Sequence, residues 1–349
     1  AQNTLANQVQ RLTFNKVSNG AAVVLDPKTS EILALVGSKD WFNEEYGKVN
    51  VAISERQVGS AFKPIIYAKA FEDRIITPAT ILKDEPRTFQ GNYKPKNYDG
   101  KFRGNLLPRR ALANSINVPA IEVMEKVVVA NALNFAKKLG INSFSDPSNY
   151  GLSLVLGAGE VKLLELTNAF AVFANNGNFN KPTTILEIKN KFDEAIYTYT
   201  PTPQKVLSEE VAFMISSILS DNKARAEVFG SALTIGRIAA VKTGNTENYK
   251  DALTIGFTPS VVVGVWVGNN DGSSMDRIAG SLGAAPIWRQ LMTQFLVNKP
   301  IEKFIPPIGI GEVSICANNG LVAKTATSSA YLEYFIPETQ PTKTCTEIE

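Results

Sequence analysis

Residues 20–38 read GAAVVLDPKTSEILALVGS, and two apolar runs within this stretch decide the fold of the chain. Ala21–Leu25 and Ile32–Val36 are rich in residues that favour β-strands. Between them, residues 26–30 read DPKTS, a turn sequence with proline at its second position. The stretch therefore predicts an antiparallel β-hairpin.

A second hairpin pattern occurs late in the chain. Ala252–Phe257 and Val261–Val267 flank a short turn, and Arg237–Thr243 is a further β-prone run just before them. Helical periodicity fills the middle of the sequence, at Phe62–Phe71, Arg110–Asn117, Ala120–Leu139, Val161–Asn175 and Glu209–Leu219. Strands at both ends with helices between them predict an α/β (α+β) domain, an antiparallel sheet with a helical insert.

The composition is that of an ordinary globular protein, with 349 residues of which 44% are hydrophobic and 20% are charged. A chain of this length contains about two domains or one large one. Histidine is absent from the whole sequence. This excludes a Ser-His-Asp triad, a Cys-His pair and a His-ligated zinc site. Any catalytic base must therefore be a carboxylate, a lysine or a tyrosine.

Charge is nearly balanced, with a formal net charge of +3, which is not the signature of a nucleic-acid-binding domain. The most basic segment is Tyr93–Arg110, which carries six cations and a single carboxylate. Because proline, glycine and asparagine are frequent there, we interpret this segment as a solvated loop. We therefore expect no nucleic-acid partner.

The sequence contains no recognisable metal or cofactor site. Cys316 and Cys345 are the only cysteines, and without histidine two thiols do not make a zinc site. They are either free thiols or one disulfide formed in an oxidising compartment. Residues 157–159, Gly-Ala-Gly, lack the third glycine and the preceding strand of a dinucleotide fingerprint, and instead predict a turn before a helix. We expect neither metal nor cofactor.

Segment boundaries follow from changes in composition. No apolar run approaches the roughly 18 residues of a membrane span. The chain begins with Ala1 rather than methionine, as an excised fragment or a mature product does. After Lys299 the sequence contains frequent prolines and few helical signals. We therefore predict a linker over residues 1–19, a principal domain over residues 20–300 and a small C-terminal segment or tail over residues 301–349.

A serine nucleophile without histidine needs another base, and a lysine one helical turn away can serve. Ser60 and Lys63 have this spacing, which places both side chains on one helix face. Pro64 disturbs the helix start, so Ser60 should lie in an irregular first turn whose free amides can face an oxyanion. The pair alone is weak, because Ser220 and Lys223 have the same spacing.

Two further short motifs follow. Ser115-Ile116-Asn117 ends a helical segment that Pro119 should stop, so these residues are either a helix cap or a proton relay with an amide beside it. Lys242-Thr243-Gly244 ends a predicted strand and offers a positive charge, a hydroxyl donor and a close backbone approach. Each tripeptide is common by itself. Their order, S-x-x-K, S-x-N and K-T-G, is what distinguishes the chain.

The text around the motifs resembles a known family. ERQVGSAFKPIIYAKAFE (55–72), ALANSINVPAIEVM (111–124) and AAVKTGNTENYKDALTIGFTPSVVVGVWVGNNDG (239–272) are similar to the penicillin-binding transpeptidase domain of class A penicillin-binding proteins. The resemblance covers roughly residues 20–300. It implies a β-lactamase/transpeptidase-like fold, a five-stranded antiparallel sheet flanked by helices with an all-helical subdomain.

The resemblance also implies site residues. Those expected to be catalytic are Ser60 as nucleophile, Lys63 as base, Ser115 as relay, Asn117 as a holder of lysine and substrate, and Lys242 as the positive charge. Those expected to bind substrate are Thr243, Gly244, Asn245 and Thr246, and the backbone amides of Ser60 and Asn245 are expected to form the oxyanion hole. The family usually carries threonine or serine where this chain has Asn245. This leaves the carboxylate contact to the Asn245 amide or to Thr246.

The implied activity is cross-linking of peptidoglycan stem peptides, with a D-Ala-D-Ala donor and an amine acceptor, and acylation by β-lactams. A class A β-lactamase is not favoured, because its Glu-x-x-Leu-Asn segment is missing and Glu165-Leu166-Thr167-Asn168 has the wrong spacing. A DD-carboxypeptidase and a non-catalytic scaffold remain as alternatives. The resemblance further implies an extracytoplasmic location, an N-terminal membrane anchor outside these residues, and a disulfide between Cys316 and Cys345.

Overall fold

The computed structural model describes residues 1–324 and 330–345. Its α-helices are α1 (Gln2–Arg11), α2 (Lys63–Glu72), α3 (Pro108–Ala113), α4 (Asn117–Val127), α5 (Val129–Lys138), α6 (Leu163–Ala174), α7 (Glu209–Ser220), α8 (Ala226–Phe229) and α9 (Ala284–Phe295). Its strands are β1 (Asn19–Leu25), β2 (Ile32–Val36), β3 (Glu55–Gln57), β4 (Leu82–Asp84), β5 (Gly104–Leu106), β6 (Glu160–Lys162), β7 (Asn178–Phe179), β8 (Glu187–Lys189), β9 (Ala195–Thr198), β10 (Gln204–Lys205), β11 (Ala240–Asn245), β12 (Asp251–Thr258), β13 (Val261–Gly268), β14 (Gly311–Cys316) and β15 (Ala330–Phe335).

The central sheet has the strand order β11-β12-β13-β1-β2, and every neighbouring pair is antiparallel. The first hairpin, β1–β2, joins the late hairpin, β12–β13, through pairing of Asn19 with Gly268. This confirms the predicted five-stranded antiparallel sheet built from both ends of the chain. Strand β11 lies at one edge and carries Lys242, Thr243, Gly244 and Asn245.

Both faces of this sheet are covered, which explains why its central strands are apolar throughout. On one face Val23 and Leu25 pack into the larger hydrophobic core, together with α2, α4 and α6. On the other face Ala22 and Val24 pack into a second core with α1 and α9. A strand buried on both sides reads as a continuous hydrophobic run rather than as an alternating one.

The edge strand differs from its prediction. We predicted a strand over Arg237–Thr243, whereas β11 covers Ala240–Asn245. The strand begins later because the Arg237 guanidinium bonds the carbonyls of residues 296, 299 and 300, which holds its segment against the end of α9. It ends later because Gly244 and Asn245 still pair with β12. The last two residues of the motif region are therefore part of the sheet.

The predicted helix over Ala120–Leu139 is two helices. Helix α4 ends at Val127, and α5 begins at Val129. Val128 between them has φ 69° and ψ 136°, which lies outside the helical region and ends the first helix. No glycine or proline marks this break, so periodicity alone did not indicate it. The predicted helix over Val161–Asn175 likewise begins later, at Leu163, because β6 pairs with β3.

The C-terminal segment contains a β-hairpin, β14–β15, that packs against the principal domain. Ile315 and Phe335 form a small core with Leu107, the residue just before α3. Cys316 and Cys345 are joined by a disulfide, with Cα atoms 6.7 Å apart. At the other end of the chain, α1 lies over β1 and α9. In residues 1–324 and 330–345, no helix combines the length and the apolar character needed to cross a membrane.

Candidate active site

Ser60 lies in a 3-10 turn, Gly59–Phe62, which runs directly into α2 at Lys63. Pro64 occupies the first turn of α2, where the missing amide has no cost. This is the irregular first turn that the sequence predicts. Ser60 is partly exposed, whereas Lys63 has no exposed surface. The serine is therefore partly open to solvent, whereas the lysine, three residues later, lies in the interior.

Backbone packing without side chains holds this turn in place. Gly59 has φ 56°, and a Cβ atom on it would lie 2.3 Å from the carbonyl oxygen of Asn245. On its other side, a Cβ atom on Gly157 would lie 2.1 Å from the Gly59 nitrogen. The backbones of these residues are thus stacked in direct contact. Gly157 was not predicted to be part of the site, although both glycines of its turn are visible in the sequence.

Substitution of Gly59 by alanine should therefore be costly. We expect Gly59→Ala to lower the free energy of unfolding by about 2–3 kcal/mol, because strain at positive φ adds to a steric clash with backbone. Gly100 is the matched control, since its φ is 70° and open space surrounds its Cα. Chemical denaturation should show a loss of about 1 kcal/mol for Gly100→Ala. Equal losses for the two variants would contradict the packing argument.

The segment from Ser115 to Asn117 joins α3 to α4. We predicted that these residues end a helix that Pro119 stops. Instead, Asn117 is the first residue of α4, and Pro119 lies in its first turn, where a proline is tolerated. Ser115 has φ 61°, a left-handed conformation that turns the chain between the two helices. This turn directs its carbonyl and hydroxyl oxygens toward Lys63.

Lys63 Nζ is bonded to this segment at four oxygen atoms. It donates to the Ser115 carbonyl oxygen at 2.5 Å, the Asn117 Oδ1 at 2.7 Å and the Ile116 carbonyl oxygen at 3.2 Å. The Ser115 Oγ lies 3.4 Å from the same nitrogen. Lys63 of the first motif and the Ser115–Asn117 segment of the second are therefore in direct contact.

Lys242 completes the cluster from the edge strand. Its Nζ donates to the Ser115 Oγ at 2.8 Å and to the Thr243 carbonyl oxygen at 2.8 Å. The Ser115 hydroxyl thus lies between two lysine side chains, both of which are buried. All three motifs converge on this hydroxyl, and a proton can pass along the chain of donors and acceptors that they form.

Burial changes the acidity of both lysines. The pKa of Lys63 lies well below its ordinary value, first because burial disfavours its charged form and second because of the positive charge of Lys242. Burial lowers the pKa of Lys242 to about 7. Near neutral pH the pair can therefore hold an unprotonated amine, which an exposed lysine rarely does. A lysine of this kind can accept a proton.

A loop before α3 supports Asn117. The Asn117 Nδ2 donates to the Lys96 carbonyl oxygen at 2.8 Å, and the Asn117 backbone amide donates to the Asn97 Oδ1 at 2.9 Å. Asn97 in turn donates to the buried Asp84 at 2.6 Å. Residues 93–110 were predicted to be a solvated loop, and this support for Asn117 was not predicted. The turn residues Asn97 to Gly100 were the available signal.

The residues after Gly244 are tied to neighbouring segments. The Asn245 Oδ1 accepts a hydrogen bond from the Gly280 amide, which fastens the loop before α9 to the end of β11. The Thr246 hydroxyl donates to the Asp251 Oδ2 at 3.2 Å and accepts from the Asp251 amide at 2.8 Å. Thr243 is buried and pairs with Thr254 in the neighbouring strand. In this structure the Thr246 hydroxyl is thus engaged within its own turn.

The two stretches that resemble catalytic motifs without matching them, Ser220–Lys223 and Glu165–Asn168, have structural roles elsewhere. Ser220 ends α7, and its hydroxyl donates to the Ser217 carbonyl oxygen at 3.2 Å. Asp221 accepts from the backbone amide of Lys223 at 3.0 Å. The Glu165–Asn168 stretch lies in α6, where Asn168 is buried. Within the described parts of the chain, no cluster of three or more Cys, Asp or Glu side chains is placed to hold a metal ion.

Comparison with known proteins gives two matching family models. The penicillin binding protein transpeptidase domain matches residues 20–293, and the C-terminal domain of penicillin-binding protein 1A matches residues 306–349. The chain is 34% identical over 339 residues to penicillin-binding protein 1A of Aquifex aeolicus, covering 94% of this chain and 45% of that protein. It is 30% identical over 334 residues to penicillin-binding protein 2D of Bacillus subtilis, covering 92% of this chain and 47% of the other. The chain therefore spans about half the length of these relatives.

Solved structures give the same result for the fold. Penicillin-binding protein 1A from Haemophilus influenzae superposes with a TM-score of 0.83 at 28% identity, covering 94% of this chain and 55% of that one. The PonA1 protein from Mycobacterium tuberculosis, solved in complex with penicillin V, superposes with a TM-score of 0.74 at 21% identity, covering 87% of this chain and 86% of that one. The five-stranded sheet and its flanking helices are common to this group.

Proposed function

The chain belongs to the penicillin-binding protein transpeptidase family, and we propose that it is a serine DD-transpeptidase that cross-links peptidoglycan stem peptides. One observation carries the proposal. The Ser115 hydroxyl lies 2.8 Å from Lys242 Nζ and 3.4 Å from Lys63 Nζ, next to the turn that presents Ser60. Two buried lysines around one hydroxyl are suited to moving protons without histidine.

In the proposed acylation step, the Ser60 Oγ attacks the carbonyl carbon of the peptide bond between the two terminal D-Ala residues. The hydroxyl proton passes to Lys63, whose lowered pKa makes an unprotonated amine available. The negative charge on the substrate oxygen is held by the backbone amides of Ser60 and Asn245, since the Gly59 backbone directly abuts that of Asn245. The C–N bond then breaks, and the proton returns through Ser115 to the departing D-Ala amine.

In the proposed second step, an amine of a neighbouring stem peptide attacks the Ser60 ester. Its proton leaves by the same Ser115 and Lys63 route, the new amide bond forms, and the Ser60 hydroxyl is regenerated. Lys242 holds the Ser115 hydroxyl by a hydrogen bond, and its positive charge helps to lower the pKa of Lys63. Thr243 and Asn117 are proposed to bind the substrate carboxylate and a substrate carbonyl, with Gly244 allowing close backbone approach.

We propose two alternatives for the contact that a threonine usually makes after the third motif. The first is the Asn245 amide nitrogen, because only its oxygen is used by Gly280. The second is Thr246, which would first have to release Asp251. We place the domain outside the cytoplasm, where peptidoglycan lies and where the disulfide between Cys316 and Cys345 is stable. β-Lactams are the proposed inhibitors, since they would acylate Ser60 as the donor peptide does.

Intact mass spectrometry after exposure to benzylpenicillin, followed over hours, tests the proposal. A transpeptidase should give one stable adduct that peptide mapping assigns to Ser60. An adduct lost within seconds would favour a β-lactamase, and no adduct with any β-lactam would favour a scaffold. A stem pentapeptide ending in D-Ala-D-Ala, supplied with and without an amine acceptor, then separates transpeptidation from simple hydrolysis.

The pH dependence of acylation should report the lysine pair. Because the pKa of Lys63 is lowered, the acylation rate should rise with pH as this amine loses its proton, giving an acid limb that no histidine can produce. Lys242→Met removes the positive charge that helps to lower the pKa of Lys63. That pKa should therefore rise, and the acid limb should move to higher pH. Stopped-flow measurements with a chromogenic cephalosporin check this.

Lys250→Met is the control for the lysine pair, since Lys250 is exposed and follows the same strand. Its acid limb should coincide with that of the wild type. An acid limb of Lys242→Met that lies at the same pH as in the wild-type protein, or at a lower pH, would contradict the assignment of Lys63 as the base.

A further inference from the structure

Arg109 carries a buried charge that the reaction does not use. It lies in the first turn of α3, and its side chain is 8% exposed. Its Nε donates to the Glu333 Oε2 at 2.8 Å, and its Nη2 donates to the Glu333 Oε1 at 2.5 Å. This is a bidentate pair, the most directional contact that an arginine makes with a carboxylate. The solvated loop predicted over residues 93–110 is therefore wrong at its C-terminal end.

The pair joins three segments that are far apart in the sequence. Glu333 belongs to β15 of the C-terminal hairpin and is 1% exposed. The remaining donors of Arg109 bond to α7, at the Ser217 carbonyl oxygen (3.2 Å) and hydroxyl (3.0 Å), and to Asp221 beyond it (3.3 Å). The C-terminal hairpin is thus fastened to α3 by charge, as well as by the small core around Leu107.

Helix α3 leads directly to Ser115. It has six residues, Pro108–Ala113, and is about 9 Å long, so it moves as one short rod. Asn114 fixes its far end, because its Nδ2 donates to the Ala224 carbonyl oxygen at 2.6 Å. Ser115 follows immediately, with its hydroxyl 2.8 Å from Lys242 Nζ. A small rotation of α3 would therefore change the geometry of the proton relay.

Stability alone does not account for this network. Replacement of a buried ion pair by apolar residues of similar volume is often neutral or stabilising. Removal of one partner, by contrast, leaves an uncompensated buried charge. A network that uses every donor of the arginine fixes orientation better than a hydrophobic contact does. The gain from such a pair therefore lies in the position of α3 rather than in the strength of the contact.

We propose that Glu333 is a positioning residue for acylation and that it acts through Arg109 and α3 on Ser115. This inference rests on the proposed function. It makes the C-terminal hairpin part of the catalytic apparatus rather than an independent appendage. Glu333 touches no reacting atom, so its effect should appear in the rate of bond formation and not in the initial binding of the substrate.

The test compares variants by their acylation kinetics with a chromogenic cephalosporin. In Glu333→Gln, the limiting rate constant of acylation should fall about 10-fold to 100-fold, because misplacement by about 1 Å has effects of this size. The dissociation constant of the initial complex should change less than twofold. Glu333→Asp keeps the charge and should recover part of the rate. A fall confined to initial binding, or no change, would overturn the proposal.

Two further variants separate position from stability. Leu291→Ala removes a buried side chain of α9 in the second core, and should lower the melting temperature without changing the acylation rate constant. Arg109→Met combined with Glu333→Leu removes both charges, and should fold even if Glu333→Gln does not. The double variant should remain slow in acylation. A wild-type rate in it would overturn the proposal, whereas no adduct on the wild-type protein would instead overturn the proposed function.

Discussion

Ser60→Ala is expected to abolish the covalent penicillin adduct and to lower turnover of a stem pentapeptide substrate by about 10⁶-fold, the size of effect seen when a catalytic serine is removed. The side chain is partly exposed, so its loss should leave the fold unchanged. The Gly59 packing and the Lys63 bonds do not involve its hydroxyl. Reversible binding of the β-lactam should persist, which equilibrium dialysis with labelled benzylpenicillin can show.

The chain supplies a matched control for this variant. Ser220 has a lysine at the same spacing as Ser60, yet its hydroxyl bonds the carbonyl oxygen of Ser217 at the end of α7. Ser220→Ala should therefore give the same adduct, at the same rate, as the wild-type protein. Retention of an adduct by Ser60→Ala, or its loss in Ser220→Ala, would show that the nucleophile is assigned to the wrong motif.

Lys63→Met is expected to lower the acylation rate by about 10³-fold to 10⁴-fold at neutral pH. The substitution preserves the length of the side chain and removes the amine that accepts the Ser60 proton, a contribution typically worth about 10²-fold to 10⁴-fold. It also leaves the Ser115 carbonyl oxygen and the Asn117 Oδ1 without their donor, which loosens the relay segment. Rates measured by fluorescent penicillin labelling over a wide pH range check this.

Lys69 provides the control for Lys63 on the same helix. Its ammonium pairs with Asp73 one turn later at 2.6 Å, a surface pair of small energetic value. Lys69→Met should acylate at the wild-type rate. The acid limb of the wild-type profile should also vanish in Lys63→Met, since the titrating amine is gone. If Lys63→Met kept a residual rate with the same acid limb as the wild-type protein, another group would be the base.

The sequence predicted those parts of the site that depend on short-range spacing and on order. Ser60 and Lys63 lie close together because only one turn of chain separates them at the start of α2, and the edge strand brings Lys242 to Ser115. The central sheet was predictable because β1 and β13 are continuous apolar runs. These features depend on local propensity and on burial, both of which are visible in the residues themselves.

The remainder depends on tertiary contacts that no local pattern encodes. Ser115 adopts positive φ although it is not glycine, and the bonds to Lys63 and Lys242 are what hold it there. The Gly157 turn matters because Gly59 lies directly beneath it. Arg109 was predicted to be a solvent-exposed cation because its partner, Glu333, is more than 200 residues away in sequence. Long-range pairing of this kind is recognisable only from the folded structure.

Pairing of Asn19 with Gly268 has a consequence for how the protein folds. During synthesis, β1 (Asn19–Leu25) emerges long before β13 (Val261–Gly268), the strand with which it pairs. Closing so large a loop is slow, and in the meantime the apolar runs of β1 and β2 remain open to wrong partners. A chain interrupted anywhere before β13 lacks the strand that joins β1 to β12, so it cannot assemble the five-stranded sheet. The catalytic site can therefore assemble only after β13 has been synthesised. Premature release of the chain should yield an aggregation-prone fragment rather than an enzyme of lower activity.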